Sequence, residues 1–339
     1  MDMCCANERQ PAAAPLYSPE KKPNFLSAVV ASDVSIILSA FVFHVKTTSA
    51  VQRSLTEPTG SVEYHTMSNN LVSLTFWMIL LFAVTALSGC RGYNAITVMD
   101  ARSQWSRLDS PDPLPAVGWA RGQSDVIHIY IEGDGVAYST PTSPSPDPTP
   151  ITPTALLLAE QDNAPAVAYL GRPCQYVDGE TCTNDYWTTA RFSLPVLSTM
   201  NALTDAAKHA ANARKVVLIG FSGGGAVAAL LASQRTDVVG LITVCGNLDH
   251  DEWTRMHDLT PLHGSLNPSD YAQQLSSIPQ VHFLGGDDTI ITRRIIDSYA
   301  AHLSPSANVQ VHTIPELSHG GLGWIEAWPD LLVEATSDF

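Results

Sequence analysis

The chain has 339 residues, of which 45% are hydrophobic and 15% are charged, and its formal net charge is −15. This length suffices for a sizeable core, and the composition excludes a disordered chain and a polytopic membrane protein. The negative charge argues against binding to nucleic acid or to anionic lipid headgroups. Because no C-x-x-C pair, no H-E-x-x-H sequence and no Walker loop occurs, we expect no metal and no organic cofactor.

An apolar segment near the N-terminus indicates an export signal. Residues 71–87 (LVSLTFWMILLFAVTAL) carry no charge, and their length lies between that of a signal-peptide core and that of a spanning helix. The sequence LSGC at residues 87–90 follows directly and resembles a bacterial lipobox, whose cysteine receives diacylglycerol. We therefore expect a lipoprotein signal peptide over residues 67–89 and lipidation at Cys90. The alternative is a signal anchor in the inner membrane.

The start of the chain raises a separate question. A lipoprotein signal lies near the first residue, yet 66 residues precede Met67. We hypothesise that Met67 is the true start and that residues 1–66 come from an over-extended gene model. Arg91 follows the lipobox, whereas an aspartate there would retain a Gram-negative lipoprotein at the inner membrane. The resemblance thus implies an outer-membrane lipoprotein that faces the periplasm.

Beyond Cys90 the chain alternates apolar strands with helices. The predicted strands are residues 125–131, 166–170, 215–219, 238–244, 281–284 and 309–314, and the predicted helices are 153–161, 194–213, 225–234 and 293–303. Residues 141–153 contain six prolines, which predicts an extended, mobile surface loop. Because parallel strands joined by helices are covered on both faces, the pattern predicts one α/β domain over residues 90–339 with a mostly parallel sheet.

One short motif indicates chemistry. The sequence GFSGG at residues 220–224 matches G-x-S-x-G, and it lies between a predicted strand and a predicted helix. This context is typical of a nucleophile elbow, a tight turn that exposes its serine and needs small neighbours. Ser222 is therefore the candidate nucleophile. The alternative is an ordinary glycine-rich turn that cradles a phosphate group.

With this motif the chain resembles the α/β-hydrolase superfamily, and the resemblance implies an acid after a later strand and a histidine after the last one. The sequence GGDDTIIT at residues 285–292 is similar to the family's acid turn and selects Asp288. Asp287 is the alternative acid, and Asp249, after an earlier strand, is a weaker one. His319 follows the last predicted strand. The chain order of serine, acid and histidine is the one that the family implies.

The resemblance also implies a mechanism. His319 would take the proton of Ser222 while Asp288 holds the imidazole, so that an acyl-enzyme forms. The oxyanion donors would be the backbone N–H of Gly223 and, in the loop after the first predicted strand, that of Asp134. We expect hydrolysis of an ester, thioester or amide, with a small acyl compound as substrate and carboxylesterase activity preferred over peptidase activity.

Two acidic residues beside the expected oxyanion hole depart from the family pattern. Lipases carry H-G-G-G in this loop, whereas residues 132–135 read EGDG, and the side chains of Glu132 and Asp134 could either satisfy the local backbone or bind a cationic substrate group, as a peptidase would need. Residues 246–278 are expected to form a short cap segment over the strand ends. Glu132, Phe221 and Trp253 are candidate pocket residues.

The cysteines fit an oxidising compartment. Cys174 and Cys182 bracket seven residues, which predicts a disulfide that closes a short loop, with two free thiols as the alternative. Cys245 ends an apolar strand and is expected to be a buried free thiol. The residues around Cys174 and Cys182 and those of the cap segment are similar to a group of uncharacterised bacterial α/β-hydrolase lipoproteins. A non-catalytic envelope lipoprotein that serves as a binding module or scaffold is the rival interpretation.

Overall fold

A computed structural model describes residues 96, 99–110, 112–337 and 339. The expected signal over residues 67–89, the lipidation site Cys90 and residues 1–66 lie outside the described residues. Within the described part of the chain, no helix has the length and apolar character that crossing a bilayer requires.

The strands, in chain order, are β1 Ser106–Ser110, β2 Ala116–Gly122, β3 Val126–Ile131, β4 Tyr138–Thr140, β5 Ser143–Pro144, β6 Ala166–Leu170, β7 Lys215–Phe221, β8 Val238–Val244, β9 Gln280–Gly285 and β10 Val309–Ile314. Eight of them form one sheet in the order β1-β2-β6-β3-β7-β8-β9-β10, and β4 pairs with β5 in a separate hairpin. Only the pairs that involve β2 are antiparallel in the large sheet. The sheet is therefore mostly parallel, as the sequence predicts.

The helices are α1 Thr154–Gln161, α2 Leu194–Ala210, α3 Gly223–Ala232, α4 His250–Met256, α5 Ala272–Leu275, α6 Arg293–Ala300 and α7 Leu322–Thr336. Helices α2 and α3 pack against each other and the sheet, while α1 packs against α7. Every residue of β6 and β9 is buried, because helices cover both faces of the sheet there. The cap segment, residues 246–278, contains α4, α5 and the short 3-10 helix Pro268–Tyr271.

Two regions differ from the sequence-based expectation. Strands β1 and β2 were not predicted: β1 (SRLDS) is mostly exposed and polar, and β2 (AVGWARG) contains two glycines, so neither has the apolar run of an inner strand. Helix α7 was also not predicted. It contains Pro329, although Trp324 and Trp328 on its inner face are fully buried.

The proline-rich residues 141–153 are mostly exposed, as expected for a surface loop, but part of the segment is buried. Pro148, Thr149 and Pro150 are buried. The amide of Thr149 donates to Asp147 Oδ1 at 2.8 Å, and Thr149 Oγ1 accepts from the amide of Tyr176 at 2.8 Å. Burial is tolerated because prolines have no N–H to satisfy, and nearby side chains satisfy the amides that remain.

The predicted disulfide between Cys174 and Cys182 is present, and Cys245 is a buried free thiol, as expected. The disulfide lies in the long connection between β6 and α2. This connection passes beside the carboxyl ends of the parallel strands, where the candidate site residues lie.

Candidate active site

The turn between β7 and α3 has the shape of a nucleophile elbow. Ser222 adopts φ 52° and ψ −121°, a conformation that non-glycine residues rarely take. A Cβ added to Gly220 would lie 2.3 Å from the carbonyl oxygen of Gly224, and one on Gly224 would lie 2.2 Å from that of Ile131. Glycine is required at Gly220 because the end of β7 lies so close to the start of α3, and at Gly224 because the start of α3 lies so close to the end of β3. Ser222 therefore stands at the tip of a tightly packed turn.

The histidine reaches both of its expected partners. His319 Nε2 lies 2.9 Å from Ser222 Oγ, and His319 Nδ1 lies 2.9 Å from Asp288 Oδ2. Asp288 follows β9 and His319 follows β10, and these strands are parallel to β7. Since parallel strands end at the same edge of a sheet, residues far apart in sequence meet there. The three candidate catalytic side chains thus form one hydrogen-bonded chain.

The carboxylate at the end of this chain is held in its ionised form. Burial of Asp288 by itself would raise its pKa, but the hydrogen bond and charge of His319 outweigh burial and hold the pKa below its usual value. The amides of Ile290 and Ile291 donate to Asp288 Oδ1 at 2.8 and 2.9 Å and act in the same direction. An ionised Asp288 can orient the imidazole and stabilise its protonated form.

The two alternative acids lie elsewhere. Asp287 is exposed, and its backbone amide donates to the carbonyl of Leu317. Asp249 caps the N-terminus of α4, and its carboxylate accepts hydrogen bonds from Asn267 at 2.9 Å and Ser298 at 2.6 Å. Neither carboxylate is bonded to His319, so the structure favours Asp288 among the three.

Cys245 lies close to Asp288 and His319. Its thiol, the Asp288 carboxylate and a ring nitrogen of His319 lie within 4.8 Å of one another, a spacing that could accommodate a metal ion. Both ring nitrogens of His319 are already hydrogen-bonded, so metal binding here would break the link to Ser222 or to Asp288. Burial, and then the nearby Asp288 carboxylate, raise the pKa of the Cys245 thiol. Its protonated form is a weak metal ligand.

The two backbone segments that carry the expected oxyanion donors are adjacent. Asp134 lies in the loop after β3, and a Cβ added to Gly223 would lie only 2.1 Å from Asp134 Oδ1. Gly223 is the first residue of α3, where backbone N–H groups have no partner within the helix. The loop after β3 and the elbow therefore lie side by side, as a shared oxyanion hole requires.

Glu132 does not line a substrate pocket, and that expectation is corrected. Its side chain is 1% exposed and accepts hydrogen bonds from the Gly133 amide at 2.9 Å, the Ala155 amide at 3.4 Å and the Tyr169 hydroxyl at 3.1 Å. Burial raises the pKa of this carboxyl to about 7. Glu132 thus links the loop after β3 to the start of α1. Its carboxyl accepts hydrogen bonds from local backbone amides and does not face a substrate amine.

Asp134 is occupied by two arginines that the sequence analysis did not single out. Arg191 Nη1 lies 2.6 Å from Asp134 Oδ2, and Arg172 Nη1 lies 3.2 Å from Asp134 Oδ1. Burial would raise the pKa of Asp134, but the charges of Arg191 and Arg172 outweigh it and lower the pKa. No local sequence pattern identifies two arginines that share one carboxylate. The only sequence feature that could have drawn attention to them is the presence of two basic residues near the cysteine loop of a strongly acidic chain.

The remaining candidate pocket residues border this arrangement. The ring centre of Phe221 lies 5.5 Å from that of His319, and Phe221 also lies against Gly133. The guanidinium carbon of Arg191 lies 5.9 Å from the ring centre of Trp253 in the cap segment. Both aromatic side chains are partly buried. Phe221 therefore lies beside His319 and the loop after β3, and Trp253 lies beside an arginine that is bonded to this loop.

Comparison with known proteins identifies the fold. No family model and no curated protein matches the chain. An α/β serine hydrolase homologue from Coxiella burnetii matches it with a TM-score of 0.50 and 13% identity, over 68% of this chain and 97% of that one. An esterase from Pyrococcus furiosus matches with a TM-score of 0.51 and 12% identity, over 70% of this chain and 92% of that one. Identities this low speak for the fold alone. Together with the strand order and the elbow, they show that the chain has the fold of the α/β-hydrolase superfamily.

Proposed function

We propose that the protein is a serine hydrolase that cleaves esters through an acyl-enzyme. The observation that supports this most is the position of His319, with one ring nitrogen 2.9 Å from Ser222 Oγ and the other 2.9 Å from Asp288 Oδ2. A nucleophile, a base and a group that orients the base are what acyl transfer requires. A non-catalytic scaffold would have no need of this convergence.

The proposed reaction has two steps. Ser222 Oγ attacks the acyl carbon while its proton passes to His319 Nε2, and the backbone N–H groups of Gly223 and Asp134 bind the oxyanion. The bond to the leaving oxygen then breaks, and His319 returns the proton to that oxygen. Water attacks the acyl-enzyme by the same route, which releases the acid and restores Ser222.

The environment of the loop after β3 favours esters over peptides with a free amine. A peptidase of the kind considered from the sequence would use Glu132 or Asp134 to bind a substrate ammonium group. Glu132 is buried and bonded to backbone amides, and both oxygens of Asp134 are paired with arginines. Neither carboxylate is available for that role. The apolar ring of Phe221, beside His319, suits an uncharged acyl or alcohol group.

The substrate class can be tested directly. We expect purified residues 91–339 to hydrolyse p-nitrophenyl esters of short and medium chain length at least tenfold faster, by kcat/KM, than aminoacyl p-nitroanilides. A stoichiometric burst of p-nitrophenol would show the acyl-enzyme. The Ser222→Ala variant, shown to be folded by circular dichroism, serves as the control and should give neither burst nor turnover. Faster cleavage of the anilides would reject the ester assignment in favour of a peptidase.

We also propose that the protein is anchored in the bacterial envelope by lipid on Cys90, facing the periplasm. The LSGC sequence after an apolar run and the Cys174–Cys182 disulfide both support an exported protein.

A further inference from the structure

The loop after β3, residues 132–135, is held from three sides. Glu132 Oε1 accepts the N–H of Gly133 at 2.9 Å, and Gln175 Nε2 donates to the carbonyl of Gly133 at 3.0 Å. Arg172 and Arg191 bind the two carboxylate oxygens of Asp134. The backbone on either side of the Asp134 amide is thus fixed. That amide is the proposed oxyanion donor, so anything that fixes it acts on the reaction.

The two arginines come from the connection between β6 and α2. Arg172 and Gln175 flank the disulfide-bonded Cys174, and the amide of Arg172 donates to Gln175 Oε1 at 3.0 Å. Arg172 also donates to the carbonyl of Arg191, and Arg191 Nε donates to the carbonyl of Thr188 at 2.6 Å. The disulfide therefore closes the loop 174–182, which contains Gln175 and begins two residues after Arg172.

The ion pairs of this cluster hold two positive charges against one negative charge. Two guanidinium groups, with side chains only 5% and 7% exposed, are paired with the one carboxylate of Asp134. The buried Glu132 carboxyl also acts on Arg172, but burial raises the pKa of Glu132 to about 7, so at neutral pH this carboxyl is only partly ionised. Arg172 Nε is buried and has no hydrogen-bond partner. Burying an extra positive charge costs stability unless something negative compensates it. An oxyanion that forms beside Gly223 and Asp134 would supply the missing negative charge during turnover.

We propose that Arg172 and Arg191 are positioning residues that clamp Asp134 so that its backbone N–H stays directed at the oxyanion, and that the Cys174–Cys182 disulfide keeps Arg172 in place. The inference rests on the proposed hydrolase function. In this proposal the two arginines preorganise the oxyanion hole, and the turnover rate depends on the oxidation state of one disulfide. Because the clamp acts on the transition state, its loss should lower kcat and leave KM nearly unchanged.

The arginine variants test the clamp. We expect Arg191→Ala to lower kcat about 10²-fold, comparable to the loss of one oxyanion donor, with KM within about twofold of the wild type. Arg191→Lys should recover only part of this loss, since an ammonium group cannot reach Asp134 and the Thr188 carbonyl with the same geometry. In an Asp134→Ala background, adding Arg191→Ala should lower kcat by less than about threefold, because the group it acts through is gone.

Arg235→Ala is the matched control. Arg235 is also nearly buried, with a side chain 9% exposed, and it is paired with Asp205 and Asp237 near the opposite edge of the sheet. Its loss should lower the melting temperature while kcat stays unchanged. All rates are measured at least 15 °C below the lowest melting temperature among the variants, so that unfolding does not contribute.

The disulfide is tested by reduction and by the double variant Cys174→Ser/Cys182→Ser. We expect a fall in kcat of about tenfold with native circular dichroism, smaller than the effect of Arg191→Ala because Arg191 still holds Asp134. Unchanged kcat in the folded double variant would overturn the disulfide's part in the proposal.

The outcomes separate this inference from the function on which it rests. A folded wild-type protein that neither turns over esters nor forms an acyl-enzyme would overturn both. An active wild type together with folded Arg191→Ala and Arg172→Ala variants of undiminished kcat would overturn the clamp alone. A loss that appears entirely in KM would also overturn it, because that result would make the arginines substrate-binding groups.

Discussion

Ser222 shows how one strained residue is kept in place. Its positive φ of 52° costs on the order of 1–3 kcal/mol, so the surroundings must hold it there. The Ser222 amide donates to the carbonyl of Val244 at 3.0 Å, and the Ser222 carbonyl accepts from the amides of Gly225 at 2.9 Å and Asn247 at 3.0 Å. These bonds come from β8, α3 and the start of the cap segment. The nucleophile is therefore positioned by three elements at once.

Glu132 gives a prediction at the same scale. Its pKa of about 7 in the folded protein exceeds the usual value for glutamate, so the folded state binds this proton more tightly than the unfolded state does. The stabilisation is complete below the unfolded pKa and is lost as pH rises through the folded one. Raising the pH from 5 to 8 should therefore lower the unfolding free energy by about 2.5 kcal/mol through Glu132.

The test compares wild type with Glu132→Gln, whose amide oxygen can still accept the Gly133 N–H but cannot ionise. Urea unfolding at pH 5 and pH 8 gives the change in unfolding free energy for each protein. Groups other than Glu132 titrate alike in both and cancel in the difference. An equal pH-dependent change in both proteins would contradict the burial assigned to Glu132.

Residue identities could be predicted where a motif fixes them locally. Ser222, Asp288 and His319 each stand at a set distance from the end of a recognisable strand, and the structure brings them together. Arg172 and Arg191 could not be predicted, because they meet Asp134 through contacts that span 38 and 57 residues. Nothing in the sequence around either arginine signals that partner.

Among the strands and helices, the parallel strands were predictable, including the edge strand β10, whereas the antiparallel strands β1 and β2 and helix α7 were not. Strands β6, β8 and β9 read as apolar runs because both of their faces are covered. The edge strand β1 is polar, and α7 is interrupted in sequence by Pro329, so neither carries a clear periodic signal. The formation of these two elements depends on tertiary contacts that the local sequence does not show.

Helix α7 gives a prediction at this scale. Trp328 is fully buried, donates from Nε1 to the Tyr130 hydroxyl at 2.9 Å and packs edge-on against Tyr130 and Phe283. We expect Trp328→Ala to cost about 3–5 kcal/mol of unfolding free energy, from lost burial and the cavity left behind. Trp328→Phe should cost about 1–3 kcal/mol, since it removes the donor but keeps a ring.

Denaturant unfolding measures both changes. Val333 lies on the same helix and is 73% exposed, so Val333→Ala is the matched control and should change stability by less than about 0.5 kcal/mol. If Trp328→Ala were as stable as Val333→Ala, α7 would not be part of the core.

For the molecule as a whole, the acidic charge and the N-terminal segment bear on where the protein works. A net charge of −15 disfavours electrostatic attachment to anionic lipid, so a membrane location would depend on the proposed covalent anchor. Expressed from Met67 in a Gram-negative host fed an alkyne fatty acid, the protein should carry the label and fractionate with the outer membrane. Cys90→Ala should lose the label.

Mass spectrometry of the mature protein completes this test. A lipidated N-terminal peptide that begins at Cys90 is the expected species. Peptides from residues 67–89 in the mature protein, or a label that survives Cys90→Ala, would contradict lipidation at this residue and favour the signal anchor.

Labelling of purified residues 91–339 with a fluorophosphonate probe, which reacts with activated serines, tests directly whether Ser222 is a catalytic nucleophile. We expect stoichiometric labelling of the wild type and none of Ser222→Ala. His319→Ala should label at least 10²-fold more slowly, because the general base is gone. Absence of labelling in a folded wild-type protein, or labelling that persists in Ser222→Ala, would contradict the claim that Ser222 is a catalytic nucleophile.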